Sequence, residues 1–413
     1  MHLAGQSRLR YDIAFTTKLK AVLDMQQRIL GKTGLSVSIL GFGCMRLPLT
    51  DPKNPASIDY DVATRMLRKA VDGGVNYVDT AWPYHGNKGN RFPGESEPFT
   101  AHALKDGYRE KVYLATKLPT WAVTTRADMD RFLDEQLKRL DTPYIDCYLA
   151  HNMNSAAWPR LKNLGLADFF DAALKDGRIR HAGFSFHDSL PLFEDIVNGY
   201  DWSFGQIQYN YLDVNHQAGE KGLRLMAGKG MGAVIMEPLR GGFLINTITD
   251  EMRAIFGAAN PSWSLADWAL RWLWSQGEVN LVLSGMSTLE QVEENLRIAN
   301  AAGTLNDGEL AAAADVRGIF HRNLRLDCTG CGYCMPCPFG VNIPKNLNYY
   351  NNYHLVPTEA NHARFLTSYR NQMTAEESYA NCTQCGACEA KCPQHLPIAE
   401  TMPKLAEDFG GQQ

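Results

Sequence analysis

Ile145-Asp146-Cys147-Tyr148-Leu149-Ala150-His151 is, Asp146 apart, apolar up to its closing histidine. A strand with one wet face alternates polar and apolar residues, whereas a strand buried on both faces does not, and parallel sheets are built from the second kind. Seven further runs read the same way, at 37–44, 77–80, 112–117, 179–186, 204–209, 233–236 and 279–285. Amphipathic helical stretches lie between them, among them 61–72, 126–140, 218–228, 265–275 and 289–301. Repeated β–α units between residues 33 and 300 predict an α/β chain folded as a (β/α)8 TIM barrel. An open doubly wound sheet would carry a Gly-rich turn after its first strand. Here Gly41-Phe42-Gly43-Cys44-Met45-Arg46 lacks the last glycine, and no helix start follows it.

Barrels of this kind place their chemistry at the C-terminal ends of the strands. The second strand runs into Asp79-Thr80-Ala81-Trp82-Pro83-Tyr84, the third ends at Lys117, and the fourth ends at His151-Asn152. An acid, a phenol, an amine and an imidazole thus fall on one rim. Reduction of a carbonyl by hydride leaves an alkoxide that needs a proton. Tyr84 supplies it if Lys117 beside it lowers the phenol's pKa. Asp79 clamps Lys117 and keeps it charged, and His151 orients the substrate oxygen. The reverse reaction oxidises an alcohol. Each residue alone is ordinary; the four together on consecutive strand ends are the signal.

Eight of the ten cysteines fall in two short runs: Cys328, Cys331, Cys334, Cys337 and Cys382, Cys385, Cys388, Cys392, each closed by proline. The second run has the C-x2-C-x2-C-x3-C-P spacing of bacterial ferredoxins, and the first is one residue shorter before its last cysteine. Three thiolates at successive short gaps wrap one cube, and the fourth turns to the other. Cys328, Cys331 and Cys334 therefore pair with Cys392, and Cys382, Cys385 and Cys388 with Cys337, around two [4Fe-4S] clusters. Zinc is the alternative, but structural zinc sites use two C-x2-C pairs across a longer loop. Thiols this close are poor disulfide partners. Cys44 and Cys147 sit in apolar strand runs and read as buried structural thiols.

The chain has 45% hydrophobic and 21% charged residues and a net charge of −4, an ordinary globular balance with no basic run to favour nucleic acid. No apolar stretch is long enough to cross a membrane, and a reducing cytoplasm suits the thiolates. The chain divides into an N-terminal extension at 1–24, loosely ordered outside the main fold, and the barrel at 25–305. A linker helix at 306–322, a dicluster ferredoxin-like domain at 323–404 with helical pieces, and a tail at 405–413, frayed from Gly410 on, follow.

From Leu30-Gly31-Lys32-Thr33-Gly34-Leu35 to Glu293-Glu294-Asn295, with the four rim residues between, the sequence resembles an aldo-keto reductase. Its C-terminal part resembles the branch of that family with a four-iron ferredoxin module. The resemblance implies a TIM barrel, a nicotinamide dinucleotide and hydride exchange with a small carbonyl or alcohol. It also implies cofactor contacts at Ser185 and Gln206, at Pro238, Leu239, Arg240, Gly241 and Gly242 around the pyrophosphate, and at Ser284, Gly285, Gln291, Glu294 and Asn295 around the adenosine. Three positions depart from the family: Phe186 replaces the asparagine that grips the carboxamide, Met236 the stacking aromatic, and Gln291 a frequent arginine. Without a basic fork at Gly285 and Gln291, the expected preference for NADPH over NADH is under about tenfold in affinity, or reversed.

Hydride transfer moves two electrons and an iron–sulfur cluster passes one. A flavin normally joins the two; the chain has no Gly-x-Gly-x-x-Gly fingerprint, though flavins also bind TIM-barrel phosphate sites that leave no short motif. The clusters either feed the barrel through a flavin or a redox partner protein, or brace the C-terminus, or dock a partner. A competing class is a non-catalytic electron carrier or redox sensor on a degenerate barrel. Trp82, His85, Trp121, Asn152 and Met153 follow the catalytic strands, where such groups suit a sugar or polyol or an apolar ketone equally.

Overall fold

The computed structural model describes residues 25–86, 92–328, 330, 332–355 and 358–409. The expected extension at 1–24, the chain end at 410–413 and Cys331 lie outside the described residues.

Eight parallel strands close into a barrel: β1 (Leu40–Gly43), β2 (Tyr77–Asp79), β3 (Tyr113–Leu118), β4 (Ile145–Met153), β5 (Ile179–Phe186), β6 (Phe204–Gln208), β7 (Gly232–Met236) and β8 (Leu281–Ser284). Closure is made by β8 against β1, with Val282 opposite Leu40 and Ser284 opposite Phe42. Strand order follows chain order, as expected when every connection is a helical crossover. The run read as one strand at 37–44 is two elements. Ser36–Ser38 pairs antiparallel with Gln27–Ile29, and the chain enters β1 only after Ile39. That ribbon closes the N-terminal end: Leu30 packs with Tyr77, Cys147, Phe204 and Leu281 inside the barrel.

A second, larger apolar layer joins the outer strand faces to the helices. Local rules set those helices. In Arg126–Arg139 the Thr125 hydroxyl accepts from the Asp128 amide and Asp128 reaches back, a capping box. Ser264 and Asp267 do the same for Leu265–Trp274. Cys44 and Cys147 are both fully buried.

The helix Asp307–Asn323 leads to a smaller body with its own core, built from Val341, Ile343, Leu347, Tyr350, Tyr379 and Phe409 among others. Its helices are Ile343–Leu355, Glu359–Gln372 and Ile398–Asp408. Two buried asparagines of the first explain the Asn-rich sequence. Asn351 donates to the Leu326 carbonyl at 2.8 Å and accepts from the Leu326 amide at 3.0 Å, pinning the first cysteine loop. Asn346 does the same beside the second, donating to Glu377 O at 2.8 Å and accepting from the Tyr379 amide at 3.1 Å. The last helix runs past residue 404, where the sequence suggested a tail, because Leu405 and Phe409 are buried in this core. Among the described residues no helix is long and apolar enough to cross a membrane.

Both cysteine loops press on the C-terminal face of the barrel. Gln394 accepts from Gln217 at 2.8 Å and also meets the His216 ring. His395 lies 3.4 Å from Asp188, and the Tyr333 ring centroid is 5.5 Å from that of His187.

Candidate active site

The pleat of β2 turns Asp79 inward, and the turn after it returns Tyr84 over the mouth. Lys117 rises from β3 between them. Its ammonium donates to both Asp79 oxygens, at 2.7 and 2.8 Å, and to the Thr80 carbonyl at 2.8 Å. The Tyr84 hydroxyl is 3.4 Å from the same nitrogen. Lys117 is wholly buried and Asp79 nearly so. On the far side of Tyr84, His151 stands edge-on at a centroid distance of 6.0 Å, with Trp121 tilted against it at 5.0 Å. The His151 Nδ1 has no hydrogen-bond partner among the described residues.

Burial raises the Asp79 carboxyl and lowers the Lys117 ammonium, and each opposes the other's shift by its charge. The Tyr84 phenol is held well above its usual pKa, first by burial and then by the Asp79 carboxylate. This reverses the lowering expected from the sequence. Asp79 sits closer to the ammonium than the phenol does and cancels much of its field there, so desolvation decides the direction. Burial, helped by Lys117, also holds His151 far below its usual value and therefore neutral.

These groups open onto a cavity of about 360 Å³. Asp79, Tyr84 and His151 line it; Lys117 lies behind them. Ser185 and Gln206 form part of the floor, with the Gln206 amide nitrogen 3.4 Å from the Met236 sulfur. The Gln206 Oε1 is buried and has no partner among the described residues, an acceptor suited to a carboxamide N–H. Pro238, Leu239, Gly241 and Gly242 form one wall. Ser284, Gly285, Gln291, Glu294 and Asn295 form the other, where Asn295 donates to Ser284 Oγ at 2.7 Å. Arg240 does not line the cavity: its side chain is buried under the loop, toward Asp213 and Asp327. Phe186 packs on Phe193 at a centroid distance of 4.9 Å rather than facing the cavity.

Of Trp82, His85, Trp121, Asn152 and Met153, none is among the cavity's lining. Trp82 packs on Phe132, His85 bonds to the Pro55 carbonyl at 2.9 Å, and Met153 is in the core. Among the lining residues that the sequence did not single out are Arg46, His187 and Tyr333. Arg46 reaches the cavity beside Gly285; the turn 41–46 carries that signal, but its missing glycine is what draws notice. His187 follows β5, and burial first, then His216, depress it to about 4. Tyr333 comes from the first cysteine loop, where spacing directs attention to the ligands.

In the small body, Cys337 joins Cys382, Cys385 and Cys388 around one pocket, with Phe339, Ile398 and Met402 as its apolar wall. Burial, then the neighbouring Cys328 and Cys392, push the Cys334 thiol up to about 12. Among the described residues no three His, Cys, Asp or Glu side chains converge as around a single ion. A four-iron cube holds each thiolate on its own iron, so a pocket walled by spread thiols and apolar side chains fits that group.

The aldo/keto reductase family profile matches residues 39–316, and the 4Fe-4S dicluster domain profile matches residues 327–396. Among curated relatives, L-galactose dehydrogenase of Arabidopsis thaliana is 27% identical over 66% of this chain and 87% of its own. L-glyceraldehyde 3-phosphate reductase of Escherichia coli O157:H7 is 25% identical over 70% of this chain and 91% of its own. The holo form of an aldo-keto reductase from Bacillus halodurans superposes with a TM-score of 0.58 at 25% identity, covering 71% of this chain and 96% of that one. The protein is an oxidoreductase of the aldo/keto reductase family, carrying a 4Fe-4S dicluster domain after its barrel.

Proposed function

We propose that the protein exchanges a hydride between a nicotinamide dinucleotide and a small carbonyl or alcohol, of the sugar or hydroxy-aldehyde class, at Tyr84, Lys117, Asp79 and His151. The observation that carries this is the Lys117 ammonium pinned to Asp79 with the Tyr84 hydroxyl 3.4 Å away. A bound nicotinamide supplies the hydride, and two [4Fe-4S] clusters pass single electrons. His151, neutral, donates a ring N–H to the carbonyl oxygen. Tyr84, protonated at rest, gives its proton to that oxygen as negative charge develops there. Lys117 then faces a forming phenolate and stabilises it, and Asp79 keeps the lysine charged and in place.

Gln206 and Ser185 would hold the carboxamide end. The loop of Pro238, Leu239, Gly241 and Gly242 would flank the pyrophosphate through its backbone. Ser284, Gly285, Gln291, Glu294 and Asn295 would meet the adenosine, with Arg46 the basic group at that end. The sugar class is supported by the names of the two curated relatives. Anaerobic holoprotein mixed with NADH or NADPH and a panel of aldoses, hydroxy-aldehydes and polyols, followed by nicotinamide absorbance, tests the reading. Turnover that Tyr84→Phe abolishes is expected; turnover unaffected by that change overturns it.

A further inference from the structure

Arg240 is 1% exposed, and none of its three guanidinium nitrogens has a hydrogen-bond partner among the described residues. Its neighbouring carboxylates stand beyond hydrogen-bond range: Asp213 Oδ2 at 3.6 Å and Asp327 Oδ1 at 3.9 Å. Asp213 Oδ2 is already occupied by the Gln208 and Asn210 amides, both at 2.9 Å. A buried guanidinium with no acceptor is strongly disfavoured, so an anionic acceptor is the explanation to seek.

The backbone holds the side chain out of the dinucleotide cavity. Arg240, Gly241 and Gly242 have φ of 48°, 65° and 91°, three left-handed residues in succession. Two of them are glycines, for which this is easy; Arg240 is not, and its conformation is fixed by its amide donating to Glu237 O at 3.0 Å. Phe243 backs the guanidinium at 5.3 Å. What the side chain meets is the first cysteine loop: its Nη2 lies 3.9 Å from Asp327 Oδ1, and Asp327 directly precedes Cys328.

We propose that Arg240 donates its N–H groups to the sulfur of the iron–sulfur cluster that Cys328, Cys334 and Cys392 help to hold, and thereby raises that cluster's reduction potential. Such a cluster, with four thiolates, is an anion that gains one more negative charge on reduction. A buried cation with several donors favours the reduced form more than the oxidised one. The electron concerned comes from the cluster held by Cys337, Cys382, Cys385 and Cys388; one is oxidised as the other is reduced, and no bond is made. Cys385 is exposed at the outer end, while Tyr333, beside Cys334, lines the cavity at the inner end. Arg240 therefore draws electrons entering at the surface toward the barrel mouth. It is a positioning residue for that electron, and the inference rests on the two-cluster reading above.

The test is an EPR-monitored redox titration of anaerobic holoprotein, which needs neither substrate nor nicotinamide. In R240M, one midpoint potential is expected to fall by at least the equivalent of tenfold in the reduction equilibrium, about 59 mV for one electron. The other stays in place, and R240K recovers part of the fall. Both potentials within a twofold change, about 18 mV, overturn the proposal. Should R240M lose iron, wild-type protein labelled with nitrogen-15 in its arginine side chains carries the test. A nitrogen coupling to one reduced cluster in pulsed EPR supports the proposal, and its absence overturns it. Iron and sulfide analysis of the wild type separates the two readings. Fewer than about eight irons overturns the pair of clusters and the proposal with it, whereas full clusters with unchanged potentials overturn only the role of Arg240.

Discussion

Lys117→Met removes the ammonium but nearly keeps the volume, so it isolates what the charge does. In the wild type that charge is fully buried and satisfies both oxygens of a carboxylate that is itself 3% exposed. The substitution would leave Asp79 ionised and unpaired, and removing one partner of a buried pair costs about 3–5 kcal/mol. At about 2 °C per kcal/mol for a barrel of this size, the melting temperature should fall by roughly 6–10 °C near neutral pH. The pH dependence has a definite sign. Burial already raises the Asp79 carboxyl above its unfolded value, and loss of Lys117 removes the charge that opposes this. A group whose folded pKa is raised adds stability below its unfolded pKa, about 3.9 for aspartate, and loses it as pH rises through the folded value. The deficit should therefore be small in acid and grow as pH rises through the folded value of Asp79. Lys117→Met combined with Asp79→Asn should recover most of it and remove the pH dependence. Differential scanning of anaerobic holoprotein from acid to neutral pH reads all three variants. A deficit within 2 °C of zero at every pH would mean that the pair is not an ion pair, and the account of how Tyr84 is supported would fail with it.

Tyr84→Phe should lower turnover at least about a hundredfold, as loss of a general acid does, while dinucleotide affinity stays within a few-fold; retained turnover, measured by steady-state kinetics, would sink the assignment. Cys392→Ser should damage the cluster of Cys328, Cys331 and Cys334, and damage confined to the second cluster, seen by EPR and iron content, would refute the crossed pairing. Arg46→Ala should weaken NADPH more than NADH by about tenfold, one charge-assisted contact, in fluorescence titrations. Equal weakening of both would place Arg46 away from the 2′-phosphate. Arg297→Ala should leave the preference unchanged, because its guanidinium is held by Asp267 at 2.6 Å.

The barrel is legible because its strands are buried on both faces, and composition records that directly. Ile39 marks a break: Ser36-Val37-Ser38-Ile39 alternates as a strand with one wet face does, but the alternation is too short to divide the run before Leu40 by itself. Asp79, Tyr84, Lys117 and His151 can be grouped because each ends or closely follows a strand, and closure of the barrel brings strand ends together. Arg240 cannot be oriented, since its direction depends on a left-handed backbone at residue 240 that no composition encodes. Tyr333 reaches the cavity across the fold, so sequence distance hides it; Arg46 closely follows β1 and is hidden only because the turn's missing glycine draws notice first. The direction of the Tyr84 shift depends on depth, which a motif does not carry. Leu405 and Phe409 read as tail because their partners, Tyr350 and Tyr379 among them, lie in earlier elements.

Tyr333 joins the pocket of the barrel to the first cysteine loop. One residue lining the space where hydride chemistry would occur directly precedes Cys334, a proposed cluster ligand, so on the two-cluster reading the shape of that space would depend on the insertion of iron and sulfide. On that reading, iron supply would bear on a reaction whose own bond-making steps use no iron.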